Sequence, residues 1–259
     1  MKIFDSHAHY DDEQFNEDRD EILSAMPKNN VAYILNAGCD YNSSLASIEM
    51  SKKYDFIYAA VGIHPHEAHK NESLSNIESL CSNKKVVAIG EIGLDYHYNF
   101  SPRDIQIKYF EEQLELANKV NLPIIVHDRK AHEYVMTSLK KIPVNKTGVI
   151  HCYSGAKEMA RDLLNMGYYL GFGGAITFAN AKKTIEVLEY VPLDRILIET
   201  DCPYLSPVPF RGKRNNSMYL THVIDKISEI KGFSREEIAD TTLNNAKKLF
   251  GIDKLELNK

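Results

Sequence analysis

Eight short apolar runs recur along this chain, and they constrain its fold more than any other feature. They begin at Lys2, Val31, Phe56, Val86, Leu122, Thr147, Tyr168 and Arg195. Each is rich in valine and isoleucine, which favour extended backbone, and each is too short for an independent helix. The runs are apolar throughout rather than alternating, which is typical of strands covered on both faces. The sequence therefore predicts about eight buried β-strands.

The segments between these runs have the spacing of amphipathic helices. The clearest covers 101–121, where one stripe carries Phe110, Leu114 and Ala117. We expect Ser101 to cap this helix and Pro102 to occupy its first turn.

A second helix start lies near the C-terminus. Ser234 and Glu237 form the S-x-x-E pattern of a capping box. It predicts a final helix that runs through Leu249 and stops at Gly251.

Strand and helix thus alternate roughly every thirty residues, the length of one strand-helix-strand unit. No linker rich in proline, glycine or serine and no block of like charge divides the chain. We therefore predict one domain over 1–259 and an α/β fold, a TIM-type (β/α)8 barrel with its active site at the C-terminal ends of the strands. An open, doubly wound sheet gives much the same local pattern, so the polar residues decide between the two.

Composition narrows the class of protein. The hydrophobic fraction is 44% and the charged fraction is 26%, which is ordinary for a globular protein. The net charge of -5 gives the whole molecule no nucleic-acid-binding character, so an anion site requires a local basic patch. No apolar run is long enough to span a membrane, and acidic residues interrupt the N-terminal segment. The four cysteines lie far apart in the sequence, which is typical of reduced thiols. We therefore expect a cytoplasmic protein without membrane contact.

The first strand run ends in two closely spaced histidines. His7 and His9 lie two residues apart in D-S-H-A-H, so an extended backbone places both on one side. Two imidazoles on one face suit a shared metal ion. Hydrogen-bonded structural histidines are an equally good interpretation of this pair alone.

Four more candidate ligands occupy equivalent strand-end positions. Glu91 lies inside the apolar run of the fourth strand, and a buried carboxylate requires a cation or a metal ion as partner. A salt bridge to lysine or arginine is the alternative. His127, His151 and Asp201 end the fifth, sixth and eighth strands, and in a barrel these ends meet at one mouth.

Together these residues predict a site for two divalent ions. The set has four imidazoles and two carboxylates, too many for one four-coordinate ion: His7, His9, Glu91, His127, His151 and Asp201. Glu91, with two oxygens, is the natural bridge. Two ions suit the hydrolysis of ester or phosphodiester bonds, with Glu91 and Asp201 as the catalytic candidates. Asp201 is a candidate metal ligand, a candidate general base, or both.

Other residues are candidates for contact with substrate. His64 and His66 follow the third strand, and we expect them to contact substrate or to support the metal ligands, with a solvated loop as the alternative, especially for His66. The loop after Asp201 is stiffened by proline and carries three cations, which suit phosphate oxygens unless they form an ordinary solvated loop. These cations are Arg211, Lys213 and Arg214.

Arg129 either joins that basic patch or forms a surface salt bridge. Tyr153, Tyr204 and Phe210 are candidates for stacking on bases, although packing is the commoner use of such rings. We interpret Cys152 and Cys202 as small buried residues rather than nucleophiles.

The motifs that carry these residues resemble those of the TatD family of metal-dependent deoxyribonucleases, a branch of the amidohydrolase-like TIM barrels. The resemblance covers nearly the whole chain. Its motifs, in the family's order, are D-S-H-A-H at Asp5, G-I-H-P-H at Gly62, G-E-I-G-L-D-Y at Gly90, H-D-R at His127, H-C-Y-S-G at His151 and E-T-D-C-P-Y at Glu199, followed by P-V-P-F-R-G-K-R-N. Tyr153 stands where phenylalanine is common, and Asn216-Ser217 where Glu-Pro is frequent.

The resemblance implies a barrel with two divalent ions. One is implied to be held by His7, His9, Glu91 and Asp201, and the other by Glu91, His127 and His151. It also implies a Mg-dependent 3′-to-5′ exonuclease that acts on DNA, preferably single-stranded, while Zn, Mn or Ni are alternatives in the purified protein. No obligate protein partner is evident.

Two other functions remain open at this point. The same metals serve related barrels that hydrolyse amides, lactones and phosphate esters, so an amidohydrolase, esterase or phosphatase acting on a small molecule or on RNA is the alternative. A non-enzymatic binding protein, in which the metals only stabilise the barrel, is less favoured because an open strand-end site suits substrate.

Overall fold

The computed structural model describes residues 1–98 and 100–256. It contains the eight predicted strands, whose bounds are β1 Ile3–Ala8, β2 Val31–Ala37, β3 Ile57–Val61, β4 Val86–Asp95, β5 Ile124–Arg129, β6 Gly148–Ile150, β7 Tyr169–Phe172 and β8 Ile196–Ile198. They form one sheet in the order β1-β2-β3-β4-β5-β6-β7-β8, with parallel pairing. β1 also neighbours β8 through the bridge between Ala8 and Cys202. This is the strand order of a (β/α)8 barrel, so the predicted fold class is confirmed.

Helices separate the strands as the alternating pattern predicts. Their bounds are α1 Arg19–Ala25, α2 Tyr41–Lys53, α3 Leu74–Leu80, α4 Arg103–Val120, α5 His132–Lys141, α6 Lys157–Asn165, α7 Lys182–Tyr190, α8 Leu220–Lys231, α9 Arg235–Phe250 and α10 Ile252–Glu256. The capping box before α9 is confirmed: the Ser234 amide donates to Glu237, and the Glu237 amide donates to Ser234 Oγ. Gly251 follows α9 with φ 68°, a left-handed conformation that suits glycine.

The predicted cap of α4 is wrong. Pro102, not Ser101, is the N-cap residue, and it provides no side-chain hydrogen bond. The Ser101 hydroxyl donates instead to the carbonyl of His66 and accepts from the amide of His69. A tertiary contact with the loop after β3 thus replaces the local cap.

The ends of four strands also differ from prediction. β1 ends at Ala8, one residue before His9, and β5 continues to Arg129, two residues past His127. β6 ends at Ile150, one residue before His151, and β8 ends at Ile198, three residues before Asp201. Asp201 has φ 56°, which is incompatible with strand geometry, and its amide donates to the carbonyl of His7 at 3.0 Å. A turn anchored on β1, rather than the end of β8, therefore places Asp201.

The chain divides into two compact units. Unit 1 comprises Met1–Asn36 and Cys152–Lys248, and unit 2 comprises Ala37–His151 with the C-terminal segment from Leu249. In unit 1, β1 lies beside β8, and α8 packs against β8 with buried Val223 and Ile227. In unit 2, all ten residues of β4 are buried, and α4 packs against this strand. The expectation of a single domain over 1–259 stays a prediction.

Candidate active site

In unit 1, the end of β1 and the turn anchored on it bring three predicted ligands together. His7 Nε2 lies 3.0 Å from His9 Nε2, so the two rings share one side of the strand as alternation predicts. Asp201 Oδ1 lies 3.5 Å from His9 Nε2 and 3.8 Å from His7 Nε2. His7 is fully buried, whereas 18% of the Asp201 side chain is exposed. Asp201 is therefore the more accessible of these two donors.

This donor set fits a divalent cation. An ion about 2.1 Å from each ligand atom requires those atoms to lie roughly 3.0 to 3.4 Å apart for bond angles of about 90° to 109°. In unit 1, the separation of 3.0 Å between the two histidine nitrogens falls in this range, and Asp201 Oδ1 lies slightly beyond it, at 3.5 and 3.8 Å from them. The donors are two imidazole nitrogens and one carboxylate oxygen. Nitrogen and oxygen donors in this ratio suit zinc, manganese or a related ion.

A buried carboxylate holds the backbone of these ligands in place. Asp5 accepts hydrogen bonds from the amides of His7 and Thr200, and from the hydroxyls of Thr200 and Ser217 at 2.6 Å each. Burial raises the pKa of Asp5 to about 6, although these four hydrogen bonds act to lower it. Asp5 thereby ties β1 to the segment that carries Asp201. No role was predicted for it, although a carboxylate within an apolar strand is the same signal that singled out Glu91.

In unit 2, three imidazoles surround Glu91. Glu91 Oε1 lies 2.7 Å from His127 Nδ1, 2.8 Å from His151 Nε2 and 3.6 Å from His64 Nε2. His127 Nδ1 and His151 Nε2 are 3.3 Å apart. The Glu91 side chain is 3% exposed, so a carboxylate and several ring nitrogens converge within a nearly water-free space. Within this set, the ligand atoms of His64, Glu91 and His127 lie close enough together to hold a metal ion.

His64 joins this ligand group, which its sequence context did not predict. It was expected to contact substrate or to support the ligands, and its ring is buried and packs edge-on against His127 with centroids 4.5 Å apart. His66, two residues later, lies outside the group and forms a 2.8 Å hydrogen bond with Asp95.

Asp95 orients His127. Asp95 Oδ2 lies 3.2 Å from His127 Nε2, so the Nδ1 atom of that ring faces Glu91. Burial acts to raise the pKa of Asp95, but hydrogen bonds from His127 and His66 dominate and hold it well below its usual range. Burial disfavours the charged His127 ring, yet its hydrogen bonds to Asp95 and Glu91 raise its pKa to about 9. Such a carboxylate behind a ligating histidine fixes both the ring and its tautomer.

Two glutamines of α4 position the backbone of this group. The Gln113 side chain accepts from the amide of Ile63 and donates to its carbonyl, just before His64. Gln106 makes the same pair of hydrogen bonds to the backbone of Asp95. Neither glutamine was predicted from the sequence. The available signal was two amides on the helical stripe of Phe110, where a buried polar group requires partners.

One of the three cations in the predicted basic loop already forms an ion pair, so two remain to contact an anion. Arg214 forms an ion pair with Asp18 and lies over the ring of Phe15 at 4.7 Å. Arg211 is exposed and lies over Phe178 at 4.4 Å, and Lys213 is also exposed. Arg211 and Lys213 thus remain the better candidates for contact with an anion.

Arg129 lies in unit 2, outside this loop. Its guanidinium is 4.7 Å from the ring centroid of Tyr98, a cation–π contact rather than the surface salt bridge considered as its alternative.

The remaining candidates have structural partners. Tyr153 is buried and donates to the carbonyl of Ala156, and Phe210 stacks on Tyr219 with centroids 4.1 Å apart. Tyr204 is half exposed, and its hydroxyl donates to Asp12. Burial raises the pKa of the Cys202 thiol to about 12, which disfavours the thiolate a nucleophile requires. Cys152 is partly exposed rather than fully buried.

Among residues 1–98 and 100–256, none of the helices combines the length and the apolar character that crossing a bilayer requires.

Comparisons with known proteins identify the family of this chain. Residues 4–251 match the model of the family described as TatD related DNase. The chain is 48% identical over 254 residues to the metal-dependent hydrolase YabD of Bacillus subtilis, covering 97% of this chain and 100% of that protein. It is 34% identical to YcfH of Escherichia coli, another metal-dependent hydrolase, over 98% of this chain and 97% of that one.

A solved structure shows the same fold. The crystal structure of YjjV, a TatD homologue from Escherichia coli, superposes with a TM-score of 0.91 at 32% identity, covering 96% of this chain and 98% of that one. The motifs at the strand ends, the (β/α)8 strand order and these similarities lead to one assignment. The chain belongs to the TatD family and is a metal-dependent hydrolase.

Proposed function

We propose that this hydrolase is a 3′-to-5′ exodeoxyribonuclease that cleaves phosphodiester bonds in single-stranded DNA with two divalent ions. The observation that carries the proposal is the presence of two donor sets, His7 with His9 and Asp201 in unit 1, and the imidazoles around Glu91 in unit 2. Two sets of this composition suit two ions, and paired ions suit displacement at phosphorus. The match to TatD related DNase supports DNA as the substrate.

The residues of the chain have separable roles in this reaction. Divalent ions, when bound, supply Lewis-acid chemistry that acidifies water and stabilises charge on phosphate oxygens. Asp201 is the accessible carboxylate, and it accepts the proton of the attacking water. The water oxygen bonds to phosphorus, the bond from phosphorus to the leaving oxygen breaks, and that oxygen takes up a proton. Asp95 keeps His127 oriented, and Arg211 with Lys213 binds phosphate.

An end-labelled single-stranded oligonucleotide tests this function. We expect cleavage from the 3′ end with Mg²⁺ and none with EDTA. Asp201→Asn should lower kcat by about 10²- to 10⁴-fold, the range for loss of a general base, while the protein stays folded. Asp194→Asn, a change at a side chain that is 70% exposed in the same unit, is the matched control and should retain full activity. Full nuclease activity in purified Asp201→Asn protein contradicts the proposed role.

Salt dependence tests the phosphate contacts. Each lysine or arginine that binds a phosphate of a single strand contributes about 0.7 to the slope of log K against log salt. We therefore expect Arg211→Ala and Lys213→Ala each to flatten that slope by about this amount, and the exposed Lys183→Ala to leave it unchanged. An unchanged slope in both loop variants, together with hydrolysis of a small ester, favours the small-molecule hydrolase instead.

A further inference from the structure

Unit 2 carries an exposed aromatic cluster beside its ligand group. It consists of Tyr98 and Phe100 in the loop between β4 and α4, with His66 next to them. The rings of Tyr98 and Phe100 stack with centroids 5.4 Å apart and an interplanar angle of 17°. The His66 ring meets both edge-on, at 5.6 Å and 4.8 Å.

These rings face water to an unusual degree. Phe100 is 59% exposed, the largest value among the big hydrophobic side chains of the described part of the chain, and Tyr98 is 40% exposed. Exposed apolar surface that is grouped rather than scattered marks a place where a ligand or partner binds.

Hydrogen bonds anchor the cluster on both sides. On the β4 side, Asp95 Oδ1 accepts hydrogen bonds from the amides of His97 and Tyr98, at 2.8 Å and 3.0 Å. On the α4 side, Ser101 is hydrogen-bonded to the backbone of His66 and His69. A preorganised aromatic surface binds a flat ligand without an ordering cost.

Asp95 and Arg129 connect the aromatic cluster with the ligand group around Glu91. The other oxygen of Asp95 contacts both His66 Nε2 and His127 Nε2. The guanidinium of Arg129 lies 4.7 Å from the centre of the Tyr98 ring. An aromatic face, a cation and a candidate metal ligand thus lie side by side within one unit.

We propose that Tyr98 and Phe100 form a stacking surface for a nucleobase of the substrate strand, with Arg129 facing its backbone phosphate. This inference rests on the proposed nuclease function and adds a subsite to it. A nucleotide combines a flat π-face with an adjacent anion, which matches the rings and the cation together. A purely apolar partner offers no anion for Arg129 to bind. An acidic peptide offers no flat ring to stack on Phe100. Stacking on such rings accepts every base, so the subsite selects single strands rather than sequences.

Tryptophan fluorescence measures the stacking of a base on this surface, and it does not require the substrate to be cleaved. The chain contains no tryptophan, so Phe100→Trp introduces a single tryptophan, whose emission can be excited selectively over that of the tyrosines. The variant is prepared on the Asp201→Asn background so that the strand stays intact. We expect a single-stranded thymidine oligonucleotide to quench the emission, and an abasic strand of equal length to leave it unchanged. Phe233→Trp, at another exposed phenylalanine in unit 1, is the control and should not respond.

Kinetics supply the second readout. Phe100→Ala should raise KM for the thymidine strand by about 5- to 150-fold, which corresponds to ~1–3 kcal/mol for one stacked base. It should change KM for the abasic strand little, and Phe100→Tyr should restore the lost affinity. The side chain is mostly exposed, so the variants should keep the melting temperature of the parent protein.

The outcomes separate this inference from the proposed function. If the wild type cleaves neither strand, the nuclease function fails, and the fluorescence response alone decides whether bases bind. If the wild type and Phe100→Ala cleave both strands equally and the emission of the Phe100→Trp variant ignores DNA, the subsite is overturned while the nuclease stands. If the emission changes with protein concentration in the absence of DNA, the surface binds a second copy of the chain. That result also overturns the proposal.

Discussion

At the scale of single residues, Gly93 is the position where the backbone of the site tolerates least change. It has φ 143°, and a Cβ atom there would lie 2.0 Å from the carbonyl oxygen of His127. Gly93 pairs with His127 across β4 and β5, so the clash falls on the backbone of a candidate ligand. We predict that Gly93→Ala lowers the free energy of unfolding by about 3 kcal/mol or more, measured by urea denaturation.

Gly232 provides the control for this substitution. It also has a positive φ, 73°, but nothing lies within 4 Å of its added Cβ. Gly232→Ala should therefore cost about 1 kcal/mol from backbone strain alone. Equal losses for the two variants would show that the contact with His127 contributes nothing.

Candidate ligands could be chosen from the sequence residue by residue, but the contacts that support them could not. His7, His9 and Glu91 stand out because polar groups in apolar runs require partners. Asp95 occupies the end of the same run as Glu91, yet its importance lies in contacts with His66 and His127, each about thirty positions away. Such pairings follow from strand neighbours rather than from local pattern.

At the scale of elements, the capping box of α2 couples helix stability to pH. Asp40 accepts a hydrogen bond from the Ser43 amide, and the Ser43 hydroxyl accepts from the Asp40 amide. Burial acts to raise the pKa of Asp40, but the hydrogen bonds from Ser43 and the nearby Lys70 outweigh it and lower the pKa. We predict that Asp40→Ala destabilises the protein by about 1 kcal/mol at neutral pH in chemical denaturation.

The pH dependence of that loss has a definite sign. A carboxylate with a lowered pKa contributes fully above its unfolded value, about 3.9, and the contribution disappears as pH falls through the folded value. The difference between the wild type and Asp40→Ala should therefore shrink below about pH 4. Asp40→Asn keeps an acceptor for the Ser43 amide without the charge, so it should lose less at neutral pH. A difference that grows on acidification contradicts this account.

The elements themselves were largely predictable, while their ends were less so. Eight apolar runs gave eight strands, and the stripe through Phe110 gave α4, because both periodicities are local properties of the chain. The cap of α4 was wrong because Ser101 found partners in the loop after β3. Gln106 and Gln113, on the buried face of the same helix, were missed because their partners are backbone atoms outside the helix, in Asp95 of β4 and in Ile63 after β3.

At the scale of the whole molecule, metal binding should stabilise the fold. An ion that binds only the folded state adds about 2.7 kcal/mol at roughly 100 times its Kd. We predict that EDTA lowers the melting temperature and that added Mg²⁺, Mn²⁺ or Zn²⁺ restores it. Metal analysis of the folded protein should find two ions per chain, with one lost in His7→Ala and one in His127→Ala.

The same measurement tests the sequence-based prediction that Glu91 bridges both ions. If Glu91 is the bridge, Glu91→Ala loses both ions, whereas a carboxylate that serves only its own unit leaves the ion at His7 and His9 in place. If metal removal lowers the melting temperature but the metal-loaded protein hydrolyses no substrate, the non-enzymatic interpretation is favoured.

The sequence by itself determined the strand count, the alternation with helices and the residue types at the strand ends, because hydrophobic periodicity and the cost of burying polar groups act locally. Only the tertiary structure decided which partner each polar group has. In the folded protein, His64 lies near Glu91, His66 forms a hydrogen bond with Asp95, and Arg214 forms an ion pair with Asp18. These choices join positions far apart in the chain, where distance and burial in the folded state, rather than spacing, determine which charges meet.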